Sequence, residues 1–139
     1  MRRRKDALLA AAALAIVLVV LALGFHRLGS PANQRAIAAD ERRVTDLRAI
    51  AQQIAAQHRE APPPRLADLR QSRFLHLSDP VTRARYEYNL KSGTTYELCA
   101  TFDTASAEGD ERWGQLSLFW RHPKGRYCYE LDSSKTPEW

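Results

Sequence analysis

Residues 85–102 read RYEYNLKSGTTYELCATF, and this stretch decides the fold because it holds two alternating segments joined by one turn. Arg85–Leu90 and Thr95–Phe102 each place an apolar side chain at every second position, which is typical of a β-strand with one buried face. The apolar positions are Tyr86, Tyr88, Leu90, Tyr96, Leu98, Ala100 and Phe102. Lys91–Thr94 is a polar turn with a glycine. The sequence therefore predicts a β-hairpin with a buried aromatic face.

Two further segments predict that the hairpin extends into a larger sheet. After a polar loop over Asp103–Arg112, the segments Gln115–Trp120 and Arg126–Leu131 are separated by the turn His122–Gly125. Consecutive strands joined by short turns pair antiparallel. The C-terminal part of the chain is therefore predicted to be a four-stranded antiparallel meander.

One long amphipathic helix is predicted to precede the sheet. Ser30-Pro31 is a typical helix start, a capping serine followed by proline, and no glycine or further proline occurs before about Arg59. Apolar residues at helical spacing form one stripe, which comprises Ile37, Val44, Leu47, Ile50, Ala51, Ile54 and Ala55. Polar residues occupy other faces, among them Asp40, Arg42, Arg43, Asp46, Arg48, Gln52 and Gln53. We expect the stripe to pack on the apolar face of the sheet, with a partner helix or a coiled coil as the alternative.

Proline ends this helix. Pro62, Pro63 and Pro64 cannot continue it, because proline lacks the amide hydrogen and clashes with the preceding turn. One or two helical turns are expected between Arg65 and Phe74, and Asp79-Pro80 then breaks the chain before the hairpin.

An uncharged apolar run, Ala7–Phe25, lies before the amphipathic helix. As a helix it is about 28 Å long, close to the roughly 30 Å thickness of a bilayer's hydrocarbon core. The cations of Arg2–Lys5 precede it, and such clusters stay on the cytoplasmic side. The sequence predicts a single-pass transmembrane helix with its N-terminus inside. The alternative is a cleaved signal peptide with a cleavage site near Ala22–Gly24, and both interpretations export the domain.

The predicted fold class is α+β: an N-terminal transmembrane helix, then a long amphipathic helix packed on a small antiparallel four-stranded sheet. The length of 139 residues leaves room for one such compact domain. The predicted divisions are a cytoplasmic basic segment at 1–6, the transmembrane helix at 7–25, the amphipathic helix and proline-rich break at 26–64, and the short helix and sheet at 65–139. Segments 31–60 and 65–139 are expected to form one domain, periplasmic or extracellular, anchored in the inner membrane.

The two cysteines, Cys99 and Cys128, are predicted to form a structural disulfide. Alternation places each on the strand face opposite the aromatic residues, and the predicted topology exports both to an oxidising compartment. Bonded cysteines must have Cα atoms within about 7 Å of each other. The last strand must therefore neighbour the Cys99 strand, with Gln115–Trp120 placed elsewhere or on the other side. Nothing resembles the Cys-x-x-Cys pattern of a redox-active pair.

No residue is predicted to be catalytic, to bind a cofactor or to ligate a metal. The four histidines are scattered, and none stands near a nucleophile and an acid in a recognisable pattern. The acidic loop over 103–111 has oxygen ligands that suit Ca²⁺ but lacks the EF-hand spacing, so we expect it to be solvated. The net charge of +5 does not collect into a basic stripe after residue 35, which argues against nucleic-acid binding.

The order of these features resembles the type IV pilins and the type II secretion pseudopilins. The nearest likeness is to the major pseudopilins, through the helix Arg43–Ala56 (RVTDLRAIAQQIAA) and the Asp-Pro turn that leads into the aromatic strand in Asp79–Tyr88 (DPVTRARYEY). The usual prepilin processing motif is missing, because Gly24-Phe25 follows the apolar run and the run contains no acid. The resemblance therefore implies the fold class and not polymerisation.

Two functions are consistent with the sequence. The first is a non-enzymatic, membrane-anchored envelope protein that contacts a protein partner of a membrane or secretion assembly, with residues 7–25 in the bilayer. The alternative is a periplasmic ligand-binding or sensory domain that uses an aromatic sheet face. An open apolar groove favours the ligand, whereas a filled core with a bare sheet edge favours the partner.

Overall fold

The structure is a computed structural model that describes residues 2–28, 30–69, 72–106 and 118–135, and the side chains of the first helix over 10–24. The chain divides into two compact units, Met1–Arg35 and Ala36–Trp139. Their elements, in chain order, are helices α1 (Arg2–Leu28) and α2 (Pro31–Gln57), two short 3-10 turns (Leu66–Asp68 and Ser72–Phe74), and strands β1 (Glu87–Leu90), β2 (Thr95–Phe102) and β3 (Gly125–Asp132).

Helix α2 begins where the serine-proline pair predicts. The amide of Asn33 donates a hydrogen bond of 3.2 Å to the side-chain hydroxyl of Ser30, which satisfies one of the unpaired amides of the first turn. At the C-terminal end of α2, the amide of His58, the residue after the helix, donates a hydrogen bond of 2.8 Å to the carbonyl of Ile54. The three prolines follow shortly after.

The predicted hairpin is confirmed. Strands β1 and β2 pair antiparallel, with Tyr88 opposite Leu98 and Leu90 opposite Tyr96. The turn between them needs Gly93, which has a φ of +58°, in the left-handed region that glycine enters without steric cost. Strand β3 lies on the other side of β2, so the sheet order is β1-β2-β3. The strand order that the cysteines required is therefore correct.

The hydrophobic core forms where the apolar stripe of α2 packs with the aromatic face of the sheet. One buried cluster combines both sets of side chains: Val44, Leu47, Ile50, Ala51, Ile54, Leu66, Leu69, Tyr86, Tyr96, Leu98, Ala100, Phe102, Trp120, Tyr129 and Leu131. Burying each large aliphatic side chain contributes roughly 1.5–3 kcal/mol to folding. Three members of the predicted faces are less buried than expected, since Ile37 and Tyr88 are half-buried and Leu90 is exposed.

The prediction of a four-stranded sheet is wrong, because the described residues form a sheet of three strands. The structure places Leu118–Trp120, the end of the predicted strand Gln115–Trp120, in a turn, and residues 115–117 lie outside the described residues. Leu118 and Phe119 are both exposed whereas Trp120 is buried. Two consecutive exposed side chains are not the alternation of a half-buried strand, and Trp120 instead fills the core from the turn.

The predicted transmembrane helix at 7–25 is also corrected. Within the part of the chain that the structure describes, no helix has both the length and the apolar character needed to cross a membrane. The single-pass inner-membrane location rested on that helix and is corrected with it.

Candidate functional site

The predicted partners Cys99 and Cys128 lie directly opposite each other on β2 and β3. Their sulfur atoms are 2.10 Å apart and their Cα atoms 4.0 Å apart, so they form a disulfide that closes a separation of 29 residues. On the chain-entropy model, a loop of this size stabilises the fold by about 3.6 kcal/mol. The bond ties the second strand of the hairpin to the last strand of the sheet.

The polar face around the disulfide is a set of surface ion pairs. Arg126 lies 2.6 Å from the carboxylate of Glu87, which lowers the pKa of Glu87 through that hydrogen bond. The guanidinium of Arg126 also lies 3.7 Å from the sulfur of Cys99. Both charged side chains are about half exposed, so solvent screens the attraction and the pair contributes little to stability.

A carboxylate close to two sulfur atoms is the only feature of this face that resembles a metal site among the described residues. Glu97, Cys99 and Cys128 bring one oxygen and two sulfur atoms within 4.8 Å of one another. A soft metal requires thiolates, however, and both sulfurs are held in the disulfide. The carboxylate of Glu97 is paired with Lys91 at 3.0 Å. The donor chemistry therefore fits a structural cross-link.

A buried arginine with three carboxylates is the most elaborate polar arrangement that the structure describes. The side chain of Arg43 is 2% exposed and contacts Asp40 at 2.6 Å and Asp103 at 2.7 Å. Its Nε also donates a short hydrogen bond to the carboxylate of Asp79. Burial lowers the pKa of Arg43, but the hydrogen bonds to the three carboxylates outweigh burial and raise it overall. The guanidinium remains charged and joins α2 to two loops.

The carboxylate of Asp40 also accepts hydrogen bonds from the chain that follows β2. It accepts hydrogen bonds from the amide of Asp103 at 3.0 Å, and from the amide and hydroxyl of Thr104 at 2.8 Å and 2.7 Å. Buried charges are stable when every lone pair has a partner. Asp40 and Arg43 therefore fix the chain that leaves β2 to the first half of α2.

Asp79 organises the turn that leads into β1. One of its carboxylate oxygens accepts the amides of Val81 at 2.8 Å and Thr82 at 2.7 Å. Burial raises the pKa of Asp79, but the bonds from Arg43, Thr82 and Val81 outweigh burial and lower it to about 2. The turn closes at Arg83, whose φ of +63° lies in the left-handed region. The Asp-Pro turn is thus locked to α2 by charge.

Asp46 carries a second polar contact between α2 and the hairpin. The hydroxyl of Tyr86 donates to Asp46 at 3.0 Å, and Nδ1 of His76 lies 3.3 Å from the other oxygen. Burial raises the pKa of Asp46, and burial also raises that of Tyr86. A histidine oriented by an acid is half of a catalytic triad, but in the described part of the chain His76 contacts no hydroxyl or thiol that it could activate.

An open groove of about 330 Å³ lies beside β1. The hydroxyl of Tyr88 donates to the carbonyl of Pro63 at 2.7 Å, which holds the proline-rich segment against the strand. The groove is lined by Pro64, Arg65, Leu66, Ala67, Leu77, Arg85, Tyr86 and Tyr88. It combines an apolar floor with two arginines, and sequence analysis did not indicate it.

The remaining expectations concern aromatic and acidic residues. Trp120 is buried in the core, whereas Trp113 and Trp139 lie outside the described residues. Of the acidic loop expected to be solvated, Asp103 accepts a hydrogen bond from Arg43, and residues 108–111 lie outside the described residues.

Comparison with known proteins finds no matching protein family, no matching curated protein and no matching solved structure. The resemblance to pilins and pseudopilins therefore stays a prediction from the order of features.

Arg43 is the important residue that sequence analysis missed, since it was placed on a polar face of α2. One signal was available. Residues 40, 43 and 47 are separated by three and four positions, which puts Asp40 and Arg43 on the same face as Leu47. An acid and an arginine in line with the apolar stripe indicate a buried ion pair.

Proposed function

We propose that this chain is a non-enzymatic interaction module of a protein assembly. The element order, an apolar helix, an amphipathic helix and a small antiparallel sheet, is the order of the pilin class, and this resemblance supports a structural role. The observation that carries the proposal is the filled core under the sheet.

The filled core disfavours the ligand-binding alternative. That alternative needs an open aromatic face, yet Tyr96 and Phe102 are each 1% exposed and Leu98 is fully buried. The stripe of α2 occupies the space that a ligand would need. The groove beside β1 is open, whereas small-molecule sites enclose most of the ligand's surface, so the groove suits a protein partner better than a small molecule.

Helix α1 supplies the surface for such a partner. Among its described side chains, the large apolar ones are each between 51% and 64% exposed: Leu14, Ile16, Val17, Leu18, Val19, Val20, Leu21 and Leu23. They lie on every face of the helix, and a helix that is apolar all round belongs in the interior of a larger structure. Exposed apolar surface of this extent marks a protein interaction site. We expect apolar helices of a partner protein to cover α1.

Photo-crosslinking from α1 tests this function. With a photoreactive amino acid at Leu18 of the full-length chain in its native cells, we expect adducts of discrete mass, with the cross-linked peptide of the partner in an apolar helix. The matched control is the same amino acid at Gln52, which is exposed on α2 and should give no adduct of that mass. Adducts only from Gln52, or none from Leu18 in folded protein, would contradict the proposal.

A further inference from the structure

The outer side of β1 is open along part of its length. The amide of Tyr86 donates to the carbonyl of Leu77 at 3.1 Å, away from β2, whereas the amide of Lys91 donates to Thr95 at 3.0 Å, on the β2 side. Successive amides of a strand point to opposite sides. The amides and carbonyls of Tyr88 and Leu90 therefore point outward, where no strand of the described ranges pairs with them.

The chain itself begins a pairing at this edge and then leaves it. Ser78 forms an isolated antiparallel bridge with Arg85, next to the bond between Leu77 and Tyr86. On the N-terminal side of Leu77, residues Ser72–Phe74 form a 3-10 turn and do not continue along β1. The outer edge of β1 is therefore paired at Arg85 and Tyr86. In the part of the chain that is described, no strand pairs with Tyr88 and Leu90 on that side.

The groove supplies what an added strand would need besides backbone partners. Tyr86 and Tyr88 line it from the sheet, and Leu66 and Ala67 line it from the segment after the prolines. Side chains of an added strand alternate between the two faces of the sheet. Every second side chain of that strand would therefore point toward the groove, whose volume of about 330 Å³ accommodates an aliphatic residue.

The charge at this edge selects the sequence of the occupant. Arg65 and Arg85 both line the groove, and the side chain of Arg65 is 79% exposed, with a 3.2 Å contact to Asp68. Arg85 is exposed and has no ion-pair partner among the described residues. Arg73 and Arg83 are exposed on the neighbouring loops. Acidic side chains complement this edge, whereas basic ones are repelled by it.

We infer that β1 is a docking edge that takes an extended acidic segment of a partner protein as a fourth antiparallel strand. Backbone hydrogen bonds to Tyr88 and Leu90 hold the segment, an aliphatic side chain fills the groove, and acidic side chains pair with Arg85 and Arg65. This site is separate from α1, so it stands or falls independently of the function proposed for that helix.

A titration of the full-length chain with defined peptides tests the inference. The probe is a capped hexapeptide of alternating glutamate and valine, and the comparison is its lysine–valine counterpart. We expect the acidic peptide to shift the NMR amide signals of Tyr88 and Leu90 saturably, with a dissociation constant below about 1 mM. We expect the basic peptide to bind at least tenfold more weakly. Equal affinity for the two peptides, or saturation that leaves both signals in place, would overturn the inference.

Two variants separate edge pairing from general charge attraction. Leu90→Pro removes an outward amide and keeps the ladder with β2, since proline is tolerated on an edge strand when its nitrogen faces solvent; we expect at least a tenfold loss of binding. Arg85→Glu is expected to reverse the preference between the two peptides. Lys124→Glu makes the same charge change at an exposed turn before β3 and should alter neither affinity more than about twofold. If Arg85→Glu and Lys124→Glu act alike, the acidic preference is general and the site is not at this edge.

Discussion

Replacing Arg43 by methionine is expected to lower the free energy of unfolding by about 3–5 kcal/mol at pH 7. Methionine fills much of the space of the arginine stem but leaves Asp40 and Asp79 buried without their cation. Asp40 is 3% exposed and Asp79 7% exposed, so water cannot replace the lost contacts. Chemical denaturation followed by circular dichroism measures the change.

The adjacent arginine provides the control. Arg42 is exposed on α2, so Arg42→Met removes the same charge and should change the free energy of unfolding by less than about 0.5 kcal/mol. A loss below about 1 kcal/mol for Arg43→Met would mean that the three carboxylates do not depend on this guanidinium.

The pH dependence gives a second signature of the same network. The pKa of Asp79 is lowered to about 2 in the folded protein, so its ionised form stabilises the fold above the unfolded value of about 3.9. That contribution is lost as the pH falls through about 2. In Arg43→Met, burial would instead raise the pKa of Asp79 and favour protonation. We therefore expect the deficit of the variant to shrink between about pH 4 and pH 2.

Replacing Tyr86 by alanine is expected to cost about 3–5 kcal/mol, because its ring is buried in the core cluster. Tyr86→Phe keeps the ring and removes only the hydroxyl that donates to Asp46, so it should cost about 1 kcal/mol. Thermal and denaturant unfolding of both variants measures the difference. If Tyr86→Ala leaves stability unchanged while acidic peptides no longer bind, Tyr86 is a recognition residue and not part of the core.

The hairpin and the long helix could be predicted from sequence because each has a strong period. The alternation around Lys91–Thr94 fixes both the strands and their buried face, and the stripe from Val44 to Ala55 fixes the face of α2. The position of β3 followed from a different constraint, since a bond between Cys99 and Cys128 requires neighbouring strands.

Other parts of the fold depend on tertiary contacts, which the spacing of apolar residues along the sequence does not indicate. A short apolar segment such as Gln115–Trp120 fits a strand as well as a turn that places one side chain in the core. Arg43 and Asp79 are 36 positions apart and have no local signal that they meet. The groove beside β1 arises from the separate paths of the proline-rich segment and the Asp-Pro turn, and neither path can be read from hydrophobic spacing.

The central claim is that α2 fills the aromatic face of the sheet, so that the protein acts through its outer surfaces. Nuclear Overhauser effects in the full-length chain test it directly. The account predicts cross-peaks from the methyl groups of Leu47, Ile50 and Ile54 to the side chains of Tyr96, Leu98 and Phe102. Absence of these cross-peaks in folded protein, with the ring signals of Tyr96 broadened by a soluble paramagnetic agent, would show an open aromatic face and contradict the account.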